Sequence, residues 1–369
     1  METTGTQNQL SLAAAQAVRT YAARARSALG SAEAPVISYA GLWLLLASLA
    51  TAAREEVEEA LGLSRADARA AALALLEEPH PTIAAAIAGW LKPGVELYDG
   101  LPISLDPLPD QASLDAWAEE NTRGLITRFP LQVDAQTLIV LASALVVSPR
   151  WSEPLERDDD GRLLLERGFQ AVVETEAAGP VAVACPPSDD AIAVFSVIAD
   201  PAVAAEDVWR ASEEVVRRFD AGEVRNHAFD VPGGGDGHAW SAREVTVTGP
   251  APSERWRSHL PEWTAESDHD LARAPGVAEI ADGVESAIVG EVAETDTVCV
   301  QKAVASYDRE GFEAAAVTAM ATRVAAAIPQ EKTVREIDLT FDRPHAVVAV
   351  ARGGAWEGIP LFHSWVTPA

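Results

Sequence analysis

Cysteine, metal-ligand motifs and catalytic signatures are scarce in this chain of 369 residues. Cys185 and Cys299 are its only cysteines, so a disulfide framework is excluded and a cytosolic location is permitted. The seven histidines show no H-x-x-x-H spacing, so no metal site is predicted. No serine lies in a G-x-S-x-G motif, and no lysine follows the glycine-rich run at 233–237. We therefore expect no cofactor and no enzymatic activity.

Basic charge is also scarce, since the formal net charge is -28 and lysine occurs only at Lys92, Lys302 and Lys332. Such a surface repels nucleic acid and anionic membranes, so neither is expected as a partner. The most apolar run, 42–50, is too short to span a bilayer, and the N-terminal stretch has no signal-peptide pattern. We expect a soluble cytoplasmic monomer, secreted only by an unrecognised route. The abundance of alanine and arginine indicates a GC-rich or salt-adapted bacterial genome.

Two acidic clusters contain the residue types that bind cations. The aspartates at 158–160 precede a glycine, but no glutamate follows at the distance that an EF-hand loop requires, so a solvated turn is predicted. Asp268-His269-Asp270 is likewise predicted to be a surface turn rather than a metal site.

The chain has no segment with the composition of a linker, and 48% of its residues are apolar, so one large domain is expected over residues 1–369. Hydrophobic periodicity predicts helices and strict alternation predicts strands. The predicted helices are at 8–29, at 54–63, at 203–219 and in an apolar run that follows Ser38 and ends at Leu49; the predicted strands are at 191–199 and 243–248. The continuous apolar run at 137–147 predicts a central strand covered on both faces.

The segment 301–329 reads as neither a regular helix nor a regular strand throughout. Alternation up to Tyr307 predicts a strand, and the polar residues 308–311 predict a turn. The following run at 313–322 is mostly alanine and other small residues, which favour a helical turn or a mobile loop. Small side chains also ask for little volume in a close-packed interior, so this run could slide between strands. The segment is therefore predicted to have two states.

The same segment closely resembles the hinge of the serpin reactive-centre loop. Lys302-Ala303-Val304 matches the family's K-A-V, and E-G-F-E-A-A-A-V-T-A at 310–319 follows the pattern of an acidic pair and then G-T-E-A-A-A-A-T-A. Alanine richness alone would be weak support. The resemblance to the serpins rests on further motifs in the same order along the chain.

Those further motifs lie in the middle and at the end of the chain. L-D-A-W-A-E-E-N-T-R-G-L-I at 114–126 resembles the helix that lies across the main serpin sheet. Trp151 matches a family tryptophan after a sheet strand, while Ser143 replaces a family asparagine. D-R-P at 342–344 and P-L-F-H-S-W-V-T-P at 360–368 resemble the serpin C-terminal end. The resemblance covers about two thirds of the chain.

The resemblance implies an α/β protein of the α+β serpin type, with three β-sheets, eight or nine helices and an exposed reactive-centre loop at about 309–334. It implies one serpin domain of bacterial type. The implied hinge is Glu310, Gly311, Phe312, Glu313, Ala314, Ala315, Ala316, Val317 and Thr318. The implied region of sheet opening is Trp151, Ser143, Gln301 and Lys302.

The function implied by the resemblance is suicide inhibition of a serine protease, in which the cleaved loop inserts into the central sheet. The alternative is a serpin-like scaffold or binding protein that does not inhibit. Phe312 favours the alternative, because the family has Thr or Ser at this hinge position and a larger side chain overpacks a close-packed interior. Arg309 and Gln301 also depart from the family's Glu and His.

The bond that a protease would attack is open to two interpretations. Counting forward from Gly311 by the usual hinge length places it between Ala325 and Ala326, which suits an elastase-like or subtilisin-like protease. The competing bond joins Arg323 to Val324 and suits a trypsin-like protease, whose buried carboxylate would bind the arginine.

Overall fold

The fold is described from a computed structural model of the chain. It describes residues 2–78, 80, 82–98, 100–224, 227–231, 233, 238–248, 252–289, 298–311 and 331–368.

Seven α-helices occur in the described ranges, slightly fewer than the eight or nine expected. They are α1 (Glu2–Leu29), α2 (Tyr39–Leu49), α3 (Val57–Leu61), α4 (Arg65–Glu77), α5 (Gln111–Asn121), α6 (Ala205–Asp220) and α7 (Val277–Ala287). The helices predicted at 8–29, 203–219 and before Leu49 are confirmed. Three further segments, Ala50–Ala52, Ala228–Asp230 and Gly354–Trp356, form only single 3-10 turns. The predicted helix at 54–63 is short but stops at Gly62, which has a left-handed φ of 73°.

The strands, in chain order, are β1 (Ile83–Leu91), β2 (Asp106–Pro107), β3 (Ile139–Val147), β4 (Glu156–Arg157), β5 (Leu163–Leu165), β6 (Phe169–Thr175), β7 (Gly179–Cys185), β8 (Ile192–Ile198), β9 (Trp240–Thr248), β10 (Glu254–Leu260), β11 (Trp263–Asp270), β12 (Val300–Tyr307), β13 (Glu331–Thr340), β14 (His345–Ala351) and β15 (Pro360–Val366). The described strands form four sheets, where three sheets were expected. Their strand orders are β2-β1-β3, β4-β5-β10-β13-β9, β11-β12 and β15-β14-β8-β7-β6. The class is the mixed α and β class that was expected.

The described chain divides into two compact units. The first comprises 1–147, 265–304 and 350–363, and the second comprises 148–264, 305–349 and 364–369. The first unit contains six of the helices and the sheet β2-β1-β3. The second contains α6 and the sheet β4-β5-β10-β13-β9.

Helix α2 forms in the first unit because a capping serine precedes a run of apolar residues. The Ser38 side chain accepts a hydrogen bond from the Gly41 N–H, which satisfies one of the free donors of the first turn. Apolar side chains surround the helix on every side, and almost all of its residues are buried, as expected for a helix of this composition. The helix is thus a fixed support for the strands that lie against it.

Helix α5 covers most of the tryptophan motif at 114–126 but ends at Asn121, before the end of the motif. Trp117 on the helix and Ile126 beyond its end both pack on one cluster. That cluster is built around Trp90, whose ring centroid lies 5.3 Å from that of Trp117.

Strand β3 differs from its prediction in one respect. Its residues alternate between buried and half-buried, so only one face is fully covered, and it lies at the edge of its described sheet. The prediction that both faces are covered was wrong. An unbroken apolar run does not distinguish a second face that packs on protein from one that borders a cleft. Strand β12, by contrast, ends at Tyr307 as predicted.

Candidate functional site

A cleft of about 610 Å³ lies within the first unit between β3 and the start of β12. Residues 139–145 form one wall and residues 298–303 the other. Apolar side chains of α2 and α7, among them Leu42, Leu46, Ile280 and Val284, also line it. In the described ranges no ladder joins β3 to β12, because each strand is the last of its own sheet. Two strand edges therefore border one apolar cleft, which is an arrangement that an added strand can fill.

Gln301 and Ser143 fasten these two walls to the first turn of α2. The Gln301 Oε1 atom accepts a hydrogen bond from the Ser38 N–H at 2.9 Å, and its Nε2 donates to the Ser38 carbonyl at 2.9 Å. The Ser143 Oγ donates to the Gly41 carbonyl at 2.9 Å. Both strands thus bind the same helical turn without binding each other through a ladder.

Lys302 lies on β12 beside Gln301 and also lines the cleft. Its Nζ binds the Glu266 carboxylate on β11 and lies 3.6 Å from an oxygen of Asp268. The hydrogen bond to Glu266 is the main cause that raises the pKa of Lys302. The lysine therefore joins β12 to β11, on the side away from β3.

In the second unit, β12 ends in the tight turn that was predicted at 308–311. The Asp308 Oδ1 accepts hydrogen bonds from the N–H groups of Glu310 and Gly311 at 2.7 and 3.0 Å. The Asp308 N–H donates to the Gly311 carbonyl at 3.0 Å. One carboxylate therefore sets the direction in which the chain leaves β12.

Trp151 holds this turn from outside. Its indole Nε1–H donates to the Asp308 carbonyl at 3.0 Å, and its backbone N–H donates to the Glu310 carbonyl at 3.0 Å. The ring also packs on Tyr307, with centroids 5.1 Å apart. Two hydrogen bonds and an aromatic contact therefore fix the start of the predicted hinge.

Gly311 occupies a position with no room for a side chain. It pairs with Arg150 in an isolated antiparallel bridge. A Cβ atom at this position would lie 2.5 Å from the Pro149 carbonyl oxygen and 3.1 Å from the Arg150 Cα. Glycine is required here by the close approach of two backbones.

The structure thus places Ser143, Gln301 and Lys302 at the cleft of the first unit, and Trp151, Glu310 and Gly311 at the turn of the second. The hinge residues Phe312, Glu313, Ala314, Ala315, Ala316, Val317 and Thr318 lie outside the described residues. So do both candidate scissile bonds, Ala325–Ala326 and Arg323–Val324.

Two contributors to this arrangement were not identified from the sequence. Ser38 binds Gln301 and caps α2, and a serine before an apolar helical run is a recognisable capping signal. Asp308 organises the turn, because its side chain binds the N–H groups two and three residues later. An aspartate with a glycine three residues later is typical of such turns. Their partners could not be identified, because those contacts form only in the folded chain.

The two acidic clusters serve structural purposes. Asp158 accepts hydrogen bonds within the predicted turn, and one of its oxygens lies 2.6 Å from the His259 Nδ1. The segment 268–270 was predicted to be a surface turn, but it is the end of β11. Its residues alternate in burial along the strand, and Asp268 lies beside Lys302. Among the described residues no group of three potential ligands is arranged to hold a metal ion. No helix in these ranges is both long and apolar enough to cross a membrane.

Comparison with known proteins finds the fold but no close relative in sequence. No family model and no curated protein matches the chain. Human kallistatin superposes with a TM-score of 0.67 at 16% identity, over 98% of this chain and 99% of that one. Serpin48 of the insect Tenebrio molitor has a TM-score of 0.62 at 17% identity, over 96% and 98% of the two chains. Thyroxine-binding globulin in complex with thyroxine has a TM-score of 0.61 at 14% identity, over 95% and 97%.

These superpositions extend over almost the whole of each chain. The agreement was anticipated from the hinge, tryptophan-helix and C-terminal motifs of the sequence. The chain therefore has the serpin fold.

Proposed function

We propose that this protein inhibits a serine protease by acting as a suicide substrate, with residues 1–369 working as one domain. The observation that supports the proposal is the pair of strand edges, β3 and β12, that border one cleft without a ladder between them in the described ranges. The chain that continues from β12 through the turn at Gly311 is rich in small residues, which ask for little volume in such a cleft.

The proposed mechanism begins when the catalytic serine of the protease attacks a carbonyl of the loop and forms an acyl-enzyme. The part of the loop before the cleaved bond stays joined to β12 and inserts beside β3 as a new strand. The acylated protease is carried with it, and distortion of its oxyanion hole and triad stops hydrolysis of the ester.

The energy for this step is proposed to come from new backbone hydrogen bonds. Strand β3 has nine residues and is therefore about 30 Å long. An inserted strand would pair with both edges, and a dozen ladder bonds at roughly 0.5 to 1.5 kcal/mol net each would supply on the order of 10 kcal/mol. That gain is comparable with the whole stability of a typical domain.

The proposed partner is an elastase-like or subtilisin-like protease, because small residues flank the proposed bond between Ala325 and Ala326. A trypsin-like protease would instead cleave after Arg323, where its pocket carboxylate gains a charge-assisted contact. Mass measurement of the C-terminal fragment from a stalled complex decides between them. A fragment that begins at Ala326 is expected, and one that begins at Val324 assigns the inhibitor to trypsin-like proteases.

The test of inhibition is to mix the native protein with a subtilisin-like and an elastase-like protease and analyse the products in denaturing detergent. A covalent complex that survives denaturation is expected. The loop-cleaved protein should also melt at a markedly higher temperature than the native protein, because its loop has become a strand. If native and loop-cleaved protein melt together, the insertion mechanism is wrong.

A non-inhibitory scaffold or binding protein is the second candidate, and Phe312 is the observation that favours it. Overpacking of a close-packed site typically costs about 1 to 3 kcal/mol and would slow insertion of a phenylalanine. Thyroxine-binding globulin, in complex with thyroxine, shows that a ligand-binding protein can have this fold. A loop-cleaved form with unchanged melting temperature and no covalent complex would support this candidate.

A further inference from the structure

The turn that joins β4 to β5 in the second unit is built around Asp158. Its Oδ1 atom accepts hydrogen bonds from the N–H groups of Asp160 at 3.0 Å and Arg162 at 2.8 Å, and its own N–H donates to the Arg162 carbonyl at 2.9 Å. The ladder between β4 and β5 has two residue pairs, and β4 is the last strand of its sheet in the described ranges. Side-chain contacts therefore contribute much of what keeps this turn on the sheet.

The other oxygen of Asp158 contacts His259 on β10, the strand beside β5. The His259 Nδ1 lies 2.6 Å from Asp158 Oδ2, and on the other side of the ring Nε2 lies 3.7 Å from Asp338 Oδ1 on β13. The three side chains are 12 to 22% exposed, so water screens these contacts incompletely. One imidazole thus lies between two carboxylates that belong to different elements of the sheet.

The protonation state of the imidazole decides how strongly it holds the two carboxylates. A charged imidazolium carries an N–H on both ring nitrogens, so it donates to Asp158 and attracts Asp338 at the same time. A neutral imidazole carries one N–H, and when that N–H is directed at Asp158 the lone pair of Nε2 faces Asp338. Loss of the proton therefore weakens the hydrogen bond to Asp158, because its donor is no longer charged, and removes the attraction to Asp338.

The other charged groups around the histidine are arginines and carboxylates. Arg257, on the same strand, donates to both oxygens of Asp338 at 2.8 and 3.2 Å. The further charged side chains nearby are Arg243, which lies 3.9 Å from Asp338, Glu336, which binds Arg243 and Arg255, and Glu166, which interacts with Arg257. Carboxylates and guanidinium groups ordinarily titrate far from neutral pH, so His259 is the member of this cluster that changes charge near neutrality.

The pKa shifts agree with this arrangement. The Asp338 carboxylate is the main cause that raises the pKa of His259 above 6.5, while burial opposes the rise and Asp158 adds to it. Burial acts to raise the pKa of Asp158, but the hydrogen bonds from His259 and from the Arg162 N–H outweigh it and lower that pKa. A histidine whose pKa is raised on folding contributes stability that is complete below about pH 6.5 and is lost as the pH rises through the folded-state pKa.

We propose that His259 is a pH-sensitive latch, which holds the turn between β4 and β5 on β10 in mildly acidic solution and releases it as the pH rises above neutral. The latch is defined as His259, Asp158 and Asp338. It lies wholly within the second unit and does not depend on the proposed inhibitory function. Its consequence is an edge of the sheet that opens more often in alkaline than in acidic solution.

The test measures amide hydrogen exchange of residues 156–165 in the full-length protein at pH 6, 7.5 and 8.5, with each rate divided by the intrinsic rate at that pH. The protection of wild type should fall as the pH rises, because the opened turn leaves His259 without its carboxylate partner. Each unit of difference between the closed-state and open-state pKa changes the opening equilibrium about tenfold, so we expect a fall of at least about threefold. Protection that stays constant from pH 6 to 8.5 overturns the latch.

Two substitutions fix the latch in opposite states. His259→Lys stays positively charged over this range and should keep the protection of the acidic wild type up to pH 8.5. His259→Gln keeps a hydrogen-bond donor without a charge and should show the lower, alkaline protection at every pH. His227→Gln, at an exposed position of the same unit, is the control substitution. A fall in protection that persists in both His259 variants overturns the latch.

A second measurement decides the matter if the His259 variants do not fold. Asp158→Asn keeps a side-chain oxygen for the N–H groups of Asp160 and Arg162 but loses the charge that faces the imidazole. The ring C–H signals of the histidines, followed by NMR as the pH changes, should include one that titrates above pH 6.5 in wild type and at lower pH in Asp158→Asn. If every histidine signal titrates at the same pH in both proteins, the latch is wrong.

Discussion

Gln301 and Ser38 are joined by two hydrogen bonds, since one side-chain amide binds both the N–H and the carbonyl of a single backbone residue at 2.9 Å each. Ser38 at the same time caps α2 and donates through its hydroxyl to the Leu361 carbonyl at 2.7 Å. A strand that borders the cleft is thereby fixed to the buried helix beneath it. Movement of β12 relative to α2 requires both bonds to break.

The first prediction is that Gln301→Leu destabilises the native protein. The substitution keeps the approximate volume but leaves the two polar groups of Ser38 without the amide, and an unsatisfied buried group costs about 1 to 3 kcal/mol. The midpoint of denaturant unfolding should therefore fall. Gln16→Leu on α1, where the side chain donates an exposed hydrogen bond to Thr20, is the matched control. An equal midpoint in the two variants would contradict the prediction.

The second prediction concerns Gly311→Ala. Because its Cβ would lie 2.5 Å from the Pro149 carbonyl oxygen, the turn must move away from Arg150. We expect a lower melting temperature for the native form and slower inhibition. Gly233→Ala serves as the control, since a Cβ there lies within 4 Å of no atom of the described residues. A Gly311→Ala protein that melts and inhibits like the control would show that the approach of these backbones has no consequence.

The local elements were predictable from the sequence, because short-range patterns determine them. A serine before an apolar run indicates the start of α2, and alternation of small residues indicates β12 up to Tyr307. The pairing of Gln301 with Ser38 could not be predicted, since the two residues are 263 positions apart and their meeting depends on the whole unit. The partly buried second face of β3 was not predicted. An apolar sequence indicates that side chains are buried but does not identify the part of the protein that covers them.

The same distinction holds for the sheet of the second unit that contains β9 and β13. A strand at 243–248 was predicted from its alternation, and β9 is indeed a strand from Trp240 to Thr248. Its pairing with β13, almost 90 residues later in the chain, has no local signal. Long-range pairing depends on topology, and for that reason the sheet order had to come from the structure.

The third prediction is a pH dependence that involves His345. Burial lowers the pKa of this histidine to about 4, while its Nδ1–H donates to the Arg343 carbonyl at 2.9 Å. In the unfolded chain the pKa is about 6.5, so between these values the unfolded state binds the proton and the native state does not. Native stability is therefore lost as the pH falls from about 6.5 towards 4, by up to about 1.4 kcal/mol per pH unit.

The measurement compares the free energy of unfolding at pH 7, 6 and 5 for wild type and His345→Gln. The variant should lose less stability than wild type over this interval, by roughly 2 kcal/mol at pH 5. His238→Gln, at an exposed position, is the control substitution. Parallel curves for wild type and His345→Gln would refute the assignment of this proton to His345.

The last prediction returns to the hinge, through two substitutions at positions outside the described residues. Phe312→Thr should leave inhibition intact or speed it, because a smaller side chain has to be accommodated when the loop enters the cleft. Ala316→Arg should convert the inhibitor into a substrate, because insertion would bury an unpaired charge. Ala316→Ser, which adds only one oxygen atom, is the control and should still inhibit.

The quantity to measure is the number of inhibitor molecules consumed for each protease molecule trapped, together with the fraction of covalent complex in denaturing gels. Ala316→Arg should be cleaved with little complex, because deacylation outpaces a slowed insertion. Unchanged trapping by this variant would show that residue 316 never enters the sheet. Faster trapping by Phe312→Thr would in addition show that the phenylalanine limits the rate of insertion and does not abolish it.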